Sequence, residues 1–275
     1  MSFFRSRVPN NCAALFLAGV VLVLAGCAVP PPVSDKEAWT EYQEVNDPLE
    51  PTNRKILAFN RGVDSAVLKP AATAYRDYLP GWLRTMVGNF LDHLRAPVVF
   101  VNDVLQGEGD RALTTLNRFW INTGLGFGLL DMADAMGIEG HDEDFGQTLA
   151  VWGVPSGPFV MLPLFGPSNP RDAVGRVVDF LADPFNIWTA NTDHEHLRFA
   201  RAGTLAVDVR AGSLDLIEDL EKSSLDFYAS IRSLYRQRRA DEISNGKGSA
   251  NLPAPGISGL PDRPVFDAAL QMSRR

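Results

Sequence analysis

Along most of the chain, large apolar residues recur every third or fourth position, the period of a helix with one apolar face. Trp82, Met86, Phe90, Leu94, Val98 and Val101 set this rhythm over residues 81–105, with Pro97 as a kink or boundary inside it. After the turn Gln106-Gly107-Glu108-Gly109-Asp110, a helix is expected from Asp110 to about Asn122, with Leu113, Leu116 and Trp120 along one face. Upstream, residues 38–45 read as a short helix or lead-in. In the stretch NDPLEPTNR, Asp47 suits a helix cap, Pro48 the first helical position and Glu50 the third, with the helix continuing through Ile56, Leu57 and Phe59. A further helical stretch runs from about Asp64 to Tyr78, interrupted near Pro70. Ser168 to Asp172 opens a helix that ends near Ala182, before Asp183-Pro184. Residues 193–242 predict one or two long helices carrying the stripe Leu214, Ile217, Leu220, Leu225, Tyr228, Ile231 and Tyr235. Almost nothing alternates with period two for long enough to specify a sheet, so the expected class is all-α. From Ser244 onward Gly, Pro, Ser and Asn dominate, and a disordered tail is expected there, with a short helix at 264–272.

Two segments break the helical rhythm. Residues 145–170 contain no Asp, Glu, Lys or Arg, yet Gly153, Pro155, Gly157, Pro158, Pro163, Gly166 and Pro167 forbid a membrane-crossing helix. Residues 119–130 are also uncharged, and Gly124, Gly126 and Gly128 alternate there with Leu125, Phe127 and Leu129. Two readings stay open. One is a buried hairpin in a globular core, with glycines for close packing. The other is a non-helical apolar surface at membrane depth, which is tolerated where it packs on protein or lines a wet cavity. On the second reading the wall comprises Gly124, Leu125, Gly126, Phe127, Gly128, Trp152, Phe159, Met161, Leu162, Leu164 and Phe165, the three glycines letting it flex.

The N-terminus points to the envelope. Arg5 and Arg7 precede a charge-free run from Ala13 to Gly26, which is too short to span a bilayer and ends in small residues before Cys27. Leu24-Ala25-Gly26-Cys27 resembles the bacterial lipobox. That resemblance implies cleavage before Cys27 and acylation of it, and two or three acyl chains make a stable anchor. Residue 28 is Ala rather than Asp, which by lipoprotein sorting rules directs the protein to the outer membrane. Cys12 would leave with the signal, so the mature chain would hold no thiol for a disulfide or a cysteine-ligated metal. Cleavage leaves 24 basic and 33 acidic residues, a net charge of −9 that disfavours nucleic acid.

Motifs that invite a chemical reading are weak. His141-Asp142-Glu143-Asp144 has poor metal-site spacing, and its acids suit a helix start. His194-Glu195-His196 is not the i, i+4 histidine pair of a zinc protease and reads as a helix opening. Gly153 to Gly157 lacks the hydrolase elbow spacing. Arg232, Arg236, Arg238 and Arg239 end the last helix, where cations suit the helix dipole and solvent; docking to an anionic lipid head or acidic partner is the alternative. No catalytic residue, metal ligand or cofactor is assigned.

Taken in order, a series of blocks resembles the MlaA family, also called VacJ. They are Asn46 to Pro51, Asn53-Arg54, Tyr75 to Pro80, Asn89-Phe90, Pro97, Val101-Asn102, Leu105 to Gly107, Arg118-Phe119, Asn122-Thr123, Gly126, Asp131 and Gly137-Ile138. The densest run is Phe145 to Leu149, Trp152 to Val154, Gly157 to Phe159, Leu162-Pro163, Gly166 to Ser168 and Arg171-Asp172. Thr52, Phe159 and Phe165 depart from the residues usual there. The resemblance implies a ring-like bundle of kinked helices embedded in the inner leaflet of the outer membrane. A central amphipathic channel would return misplaced phospholipids to a soluble periplasmic carrier, beside trimeric porins and without catalysis. The expected organisation is a signal peptide at 1–26, a lipidated tether at 27–43, a lipid-transport domain at 44–243 and a tail at 244–275. A structural envelope lipoprotein and a lipid-modifying enzyme are the alternatives.

Overall fold

Capping side chains and prolines set where most helices start in the computed structural model. The structure describes Asp35, Lys36, Trp39, Tyr42 and residues 45–245; the expected signal peptide, Cys27, most of the tether and the tail beyond 245 lie outside these. Helix α1 (Glu50–Val63), a π-helical turn (Asp64–Leu68) and α2 (Lys69–Tyr78) follow one another without a break. Pro70 has no N–H and its ring crowds the carbonyl four residues back. The wider turn just before it, in which Lys69 N–H reaches the Asp64 carbonyl, absorbs that clash, so the expected interruption is a bulge. Asp47 does not cap α1, which begins after Leu49 with Pro51 in its first turn.

Helix α3 (Gly81–Gln106) runs through Pro97 and stops at Gly107, whose φ of +79° only glycine adopts easily. Helix α4 (Gly109–Gly124) follows, then α5 (Met132–Ala135), capped by Asp131, and α6 (Phe145–Val151), capped by Asp144. Strands β1 (Val160–Leu162) and β2 (Gly166–Ser168) form an antiparallel hairpin with Met161 opposite Pro167. Each strand is only three residues long, too short to register as alternation in the sequence. Asn169 and Asp183 cap α7 (Pro170–Ala182) and α8 (Pro184–Asn191), each with proline in the first turn. The last third is three helices rather than one or two: α9 (Glu195–Gly212), α10 (Leu214–Ser223) and α11 (Phe227–Ile243). The breaks fall at Ser213 and at Ser224-Leu225-Asp226, and Asp226 caps α11.

The packing closes on itself. Helix α2 packs on α9, α9 on α3, α3 on α6, α6 on α11, α11 on α10, and α10 on α2. The buried apolar clusters are small and separate. Ala72, Ala211 and Leu214, with Tyr75, join α2, α9 and α10. Phe159, Met161 and Tyr228 join the hairpin to α1 and α11, with Ile56, Leu57, Ile231 and Tyr235 around them. Among the described residues no helix is long and apolar enough to cross a membrane.

Candidate functional site: an outward apolar surface and its hairpin

The helical period read from the sequence is present, but several apolar faces point outward. On α4, Leu113 and Trp120 are exposed, Trp120 by 63%, while Ala112 and Thr115 are buried. On α7, Val174, Val177, Phe180 and Leu181 are exposed, while Arg171, Asp172 and Gly175 face inward. On α3, Trp82, Phe90, Val101 and Leu105 are exposed, while Asn102 and Asp103 are buried. Water disfavours this arrangement by about 25 cal/mol for each Å² of apolar surface. Large exposed apolar surface joined to a polar interior marks a surface made for lipid or for another protein.

The interior is correspondingly polar, and most of its polar side chains are paired. Asp103 accepts from Thr115 Oγ1 at 2.7 Å and pairs with His141 Nε2 at 2.9 Å. Glu143 accepts from Arg111 at 2.6 Å and from Gln106 at 2.8 Å. Thr148 donates to Asn102 Oδ1 at 2.8 Å, and Asn102 donates to Asp179 at 3.1 Å. Arg239 bridges Asp144 at 2.7 Å and Asp172 at 2.9 Å. The acids of His141 to Asp144 thus go to separate partners: Asp142 to Arg95, Glu143 to Arg111, and Asp144 to Arg239 and the α6 cap. Three of the four C-terminal arginines depart from the dipole-and-solvent expectation, Arg236 by being half-buried and donating to the Asn46 carbonyl at 3.3 Å. Arg239 is buried, and Arg232 is an inward tie to Asp47 at 2.8 Å, because both lie on the inward face of α11. Asp47 itself is buried and also accepts from Asn53 and Tyr228. Burial pushes the Glu143 carboxyl up, outweighing Gln106 and Arg111. Burial also opposes ionisation of Asp144 and Asp172, but their hydrogen bonds from Arg239 and Tyr235, and the Arg239 charge, hold both below the ordinary value of 3.8.

The two uncharged segments meet different fates. Within residues 119–130 the chain leaves α4 in a tight turn, with Gly126 and Gly128 N–H both on the Asn122 carbonyl. A Cβ at Gly126 would lie 2.2 Å from the Leu130 carbonyl oxygen, and Gly128 has φ +71° beside the His93 ring. These two glycines therefore serve a close approach and a left-handed turn, while Gly124 faces open space. The turn presents Leu125 and Phe127, the latter 83% exposed.

In the second segment Trp152, Leu164 and Phe165 are exposed, and Leu162 is half-buried. Phe159 and Met161, expected in the wall, are instead buried, 2% and 1% exposed. They stand two residues apart on extended chain, share one face, and pack against Tyr228. They anchor the hairpin from inside. Single-sequence pattern did not find Asn53 and Asn60, whose side chains hold β1 from α1: each pairs with one backbone C=O and one N–H. The available signals were the place of Asn53 among the blocks that carry the resemblance and a second asparagine seven residues on along the same predicted helix.

The family model for "MlaA lipoprotein" matches residues 45–242. The chain is 34% identical over 248 residues to an Escherichia coli protein named intermembrane phospholipid transport system lipoprotein MlaA, covering 85% of this chain and 88% of that one. A Haemophilus influenzae protein of the same name is 33% identical over 232 residues, covering 82% and 88%. A solved chain from work on the structural basis for maintenance of bacterial outer membrane lipid asymmetry superposes with a TM-score of 0.64 at 34% identity. It matches 72% of this chain and 98% of its own. A family model spanning most of the described residues, together with relatives above 30% identity over most of their length, places this chain in the MlaA lipoprotein family.

Proposed function

We propose that this protein is an outer-membrane lipoprotein, anchored through acylated Cys27, that gives misplaced phospholipids a passive path out of the outer leaflet. The lipids pass unaltered to a soluble periplasmic carrier, and trimeric porins are its neighbours in the membrane. The observation that carries this reading is the outward apolar surface around a hydrogen-bonded polar interior. A phospholipid needs apolar surface for its tails and polar groups for its head, and a helical body of this kind offers both. The closed circuit of packed helices supports a ring-like arrangement. The printed names of the relatives point the same way.

A conduit is favoured over a lipid-modifying enzyme by the names of the relatives, which are those of a phospholipid transport lipoprotein, and because at His141 the carboxylate and the hydroxyl meet the same ring nitrogen rather than opposite ones. His93 stacks on Phe119 at 4.7 Å, His141 pairs with Asp103, and His194 stacks on Trp188. A strain lacking the protein should accumulate phospholipid in its outer leaflet, and the wild-type chain should restore asymmetry where Cys27→Ala does not. Unchanged outer-leaflet phospholipid in the deletion strain, or release of fatty acid by the purified protein, would contradict the proposal.

A further inference from the structure

Among the described residues, Arg84 is the arginine that the protein leaves without a partner. Every other described arginine is tied to a carboxylate or to a backbone carbonyl. Arg84 makes neither tie, although its Nε is buried. A buried donor without an acceptor has lost its hydration for nothing in return, and the loss is larger on a charged group. Asp208, across the helix pair on α9, does not relieve it. That carboxylate accepts from the Tyr75 hydroxyl at 2.7 Å and makes no ion pair with Arg84. The Arg84 charge is still felt at Tyr75, where it opposes the upward push of burial and of Asp208.

The guanidinium turns back toward the start of α3. Its Nη2 lies 3.9 Å from where a Cβ on Gly81 would stand. No acid lies in that first turn, and Pro80 before it offers no side-chain cap. The arginine charge therefore adds to the positive end of the helix instead of meeting a counter-charge. The surroundings indicate which anion would fit. Tyr78, at the end of α2, is 84% exposed, and Trp82, in the first turn of α3, is 66% exposed. Phe90, two turns further along α3, is exposed as well. Tyr and Trp join an apolar body to a polar tip and gather where headgroups meet acyl chains. A phosphodiester offers two oxygens to the guanidinium fork. Its acyl chains would cover the outward rings, which a free anion would leave in water.

We propose that Arg84 binds the phosphodiester of a phospholipid headgroup at the corner between α2 and α3, with Tyr78 and Trp82 holding that corner at headgroup depth. This inference rests on the bilayer placement proposed above and adds a headgroup site to it.

The test is native mass spectrometry of the full lipidated protein in mild detergent, with phosphatidylglycerol or inorganic phosphate added. The wild type should carry a phospholipid that Arg84→Gln retains about tenfold less at the same lipid concentration. Arg84→Lys keeps the charge without the planar fork and should restore part of the loss. Arg76→Gln, near the same corner but paired with Asp215, should retain lipid as the wild type does. Arg84 has no partner to lose, so the melting temperature of Arg84→Gln should match the wild type. Inorganic phosphate should not displace the lipid. In nanodiscs, the emission that Trp82→Phe removes should be quenched by phospholipid brominated near the glycerol end of its chains, and less by phospholipid brominated at the chain ends. Equal retention by Arg84→Gln overturns the site. Lipid loss with a lowered melting temperature, unrestored by Arg84→Lys, also overturns it, since Arg84 would then be an ordinary structural residue. Phosphate bound at Arg84 with no lipid retained would mean an adventitious ion only. Trp82 emission quenched by neither lipid overturns the placement of the corner. Each of these failures leaves the conduit reading standing where the deletion strain accumulates outer-leaflet phospholipid. Intact asymmetry in that strain defeats the conduit reading, yet leaves a headgroup site that Arg84→Gln abolishes.

Discussion

Buried charges decide the fold residue by residue. Arg239 holds Asp144 from α6 and Asp172 from α7 on α11, at the junction of three helices. Removing one partner of a buried pair leaves the other charge uncompensated, at about 3–5 kcal/mol. Arg239→Ala should therefore lose that much stability in denaturant titrations, whereas Arg238→Ala, with Arg238 exposed beside Glu242, should change it by about 0.5 kcal/mol or less. The same acids set an acid limb. Asp144 and Asp172 are held below 3.8 in the fold, so their contribution is complete above 3.8 and is lost as pH falls through their folded values. Glu143, pushed up by burial, acts with opposite sign: its contribution is present below its ordinary value of 4.5 and lost as pH rises. Melting curves should therefore show stability falling below about pH 4, and Asp144→Asn should flatten that fall. Glycine roles divide as sharply. Gly126→Ala meets a backbone carbonyl and should cost about 1–3 kcal/mol, while Gly124→Ala, in open space, should be neutral or slightly stabilising. The ties of Arg239 to Asp144 and Asp172 were not legible in the sequence, because they join residues tens of positions apart; a run of arginines reads as solvated until its partners are in place.

Elements were legible to the extent that local chemistry makes them. Asn169-Pro170 and Asp183-Pro184 start helices where caps and proline say they should. Asp47 carries the same local signal and fails as a cap because a buried tie to Arg232 and Tyr228 takes its carboxylate. The outward faces of α4 and α7 teach a similar lesson. Periodicity shows which face of a helix is apolar, but not what that face meets. The wall segments were legible as anomalies of composition, yet the pleat that turns Phe159 and Met161 inward depended on a strand too short to see. Ser substitutions at Val177 and Phe180 should leave stability within about 0.5 kcal/mol, since both side chains are exposed. They should instead weaken partitioning of the unacylated Cys27→Ala chain into phospholipid vesicles. Partitioning equal to that of the parent chain would show that the α7 face is not a lipid surface.

For the whole molecule, apolar surface has been placed where a soluble protein would put charge, and the polar interior supplies the cohesion that a large apolar core usually gives. The apolar clusters are small and lie apart, so the helices are held largely by ion pairs and amides. Such a body suits the proposed place beside a bilayer, where the proposed acyl anchor would hold it. The most direct test is photo-crosslinking in intact cells with a phospholipid that carries a photoactivatable acyl chain, mapping the labelled residues by mass spectrometry. The account predicts label on Trp120, Val177 and Phe165, none on buried Asn102 or Asp172, and recovery of the crosslinked lipid with both acyl chains in place. Outward faces that take no lipid label but react freely with a water-soluble reagent would contradict it.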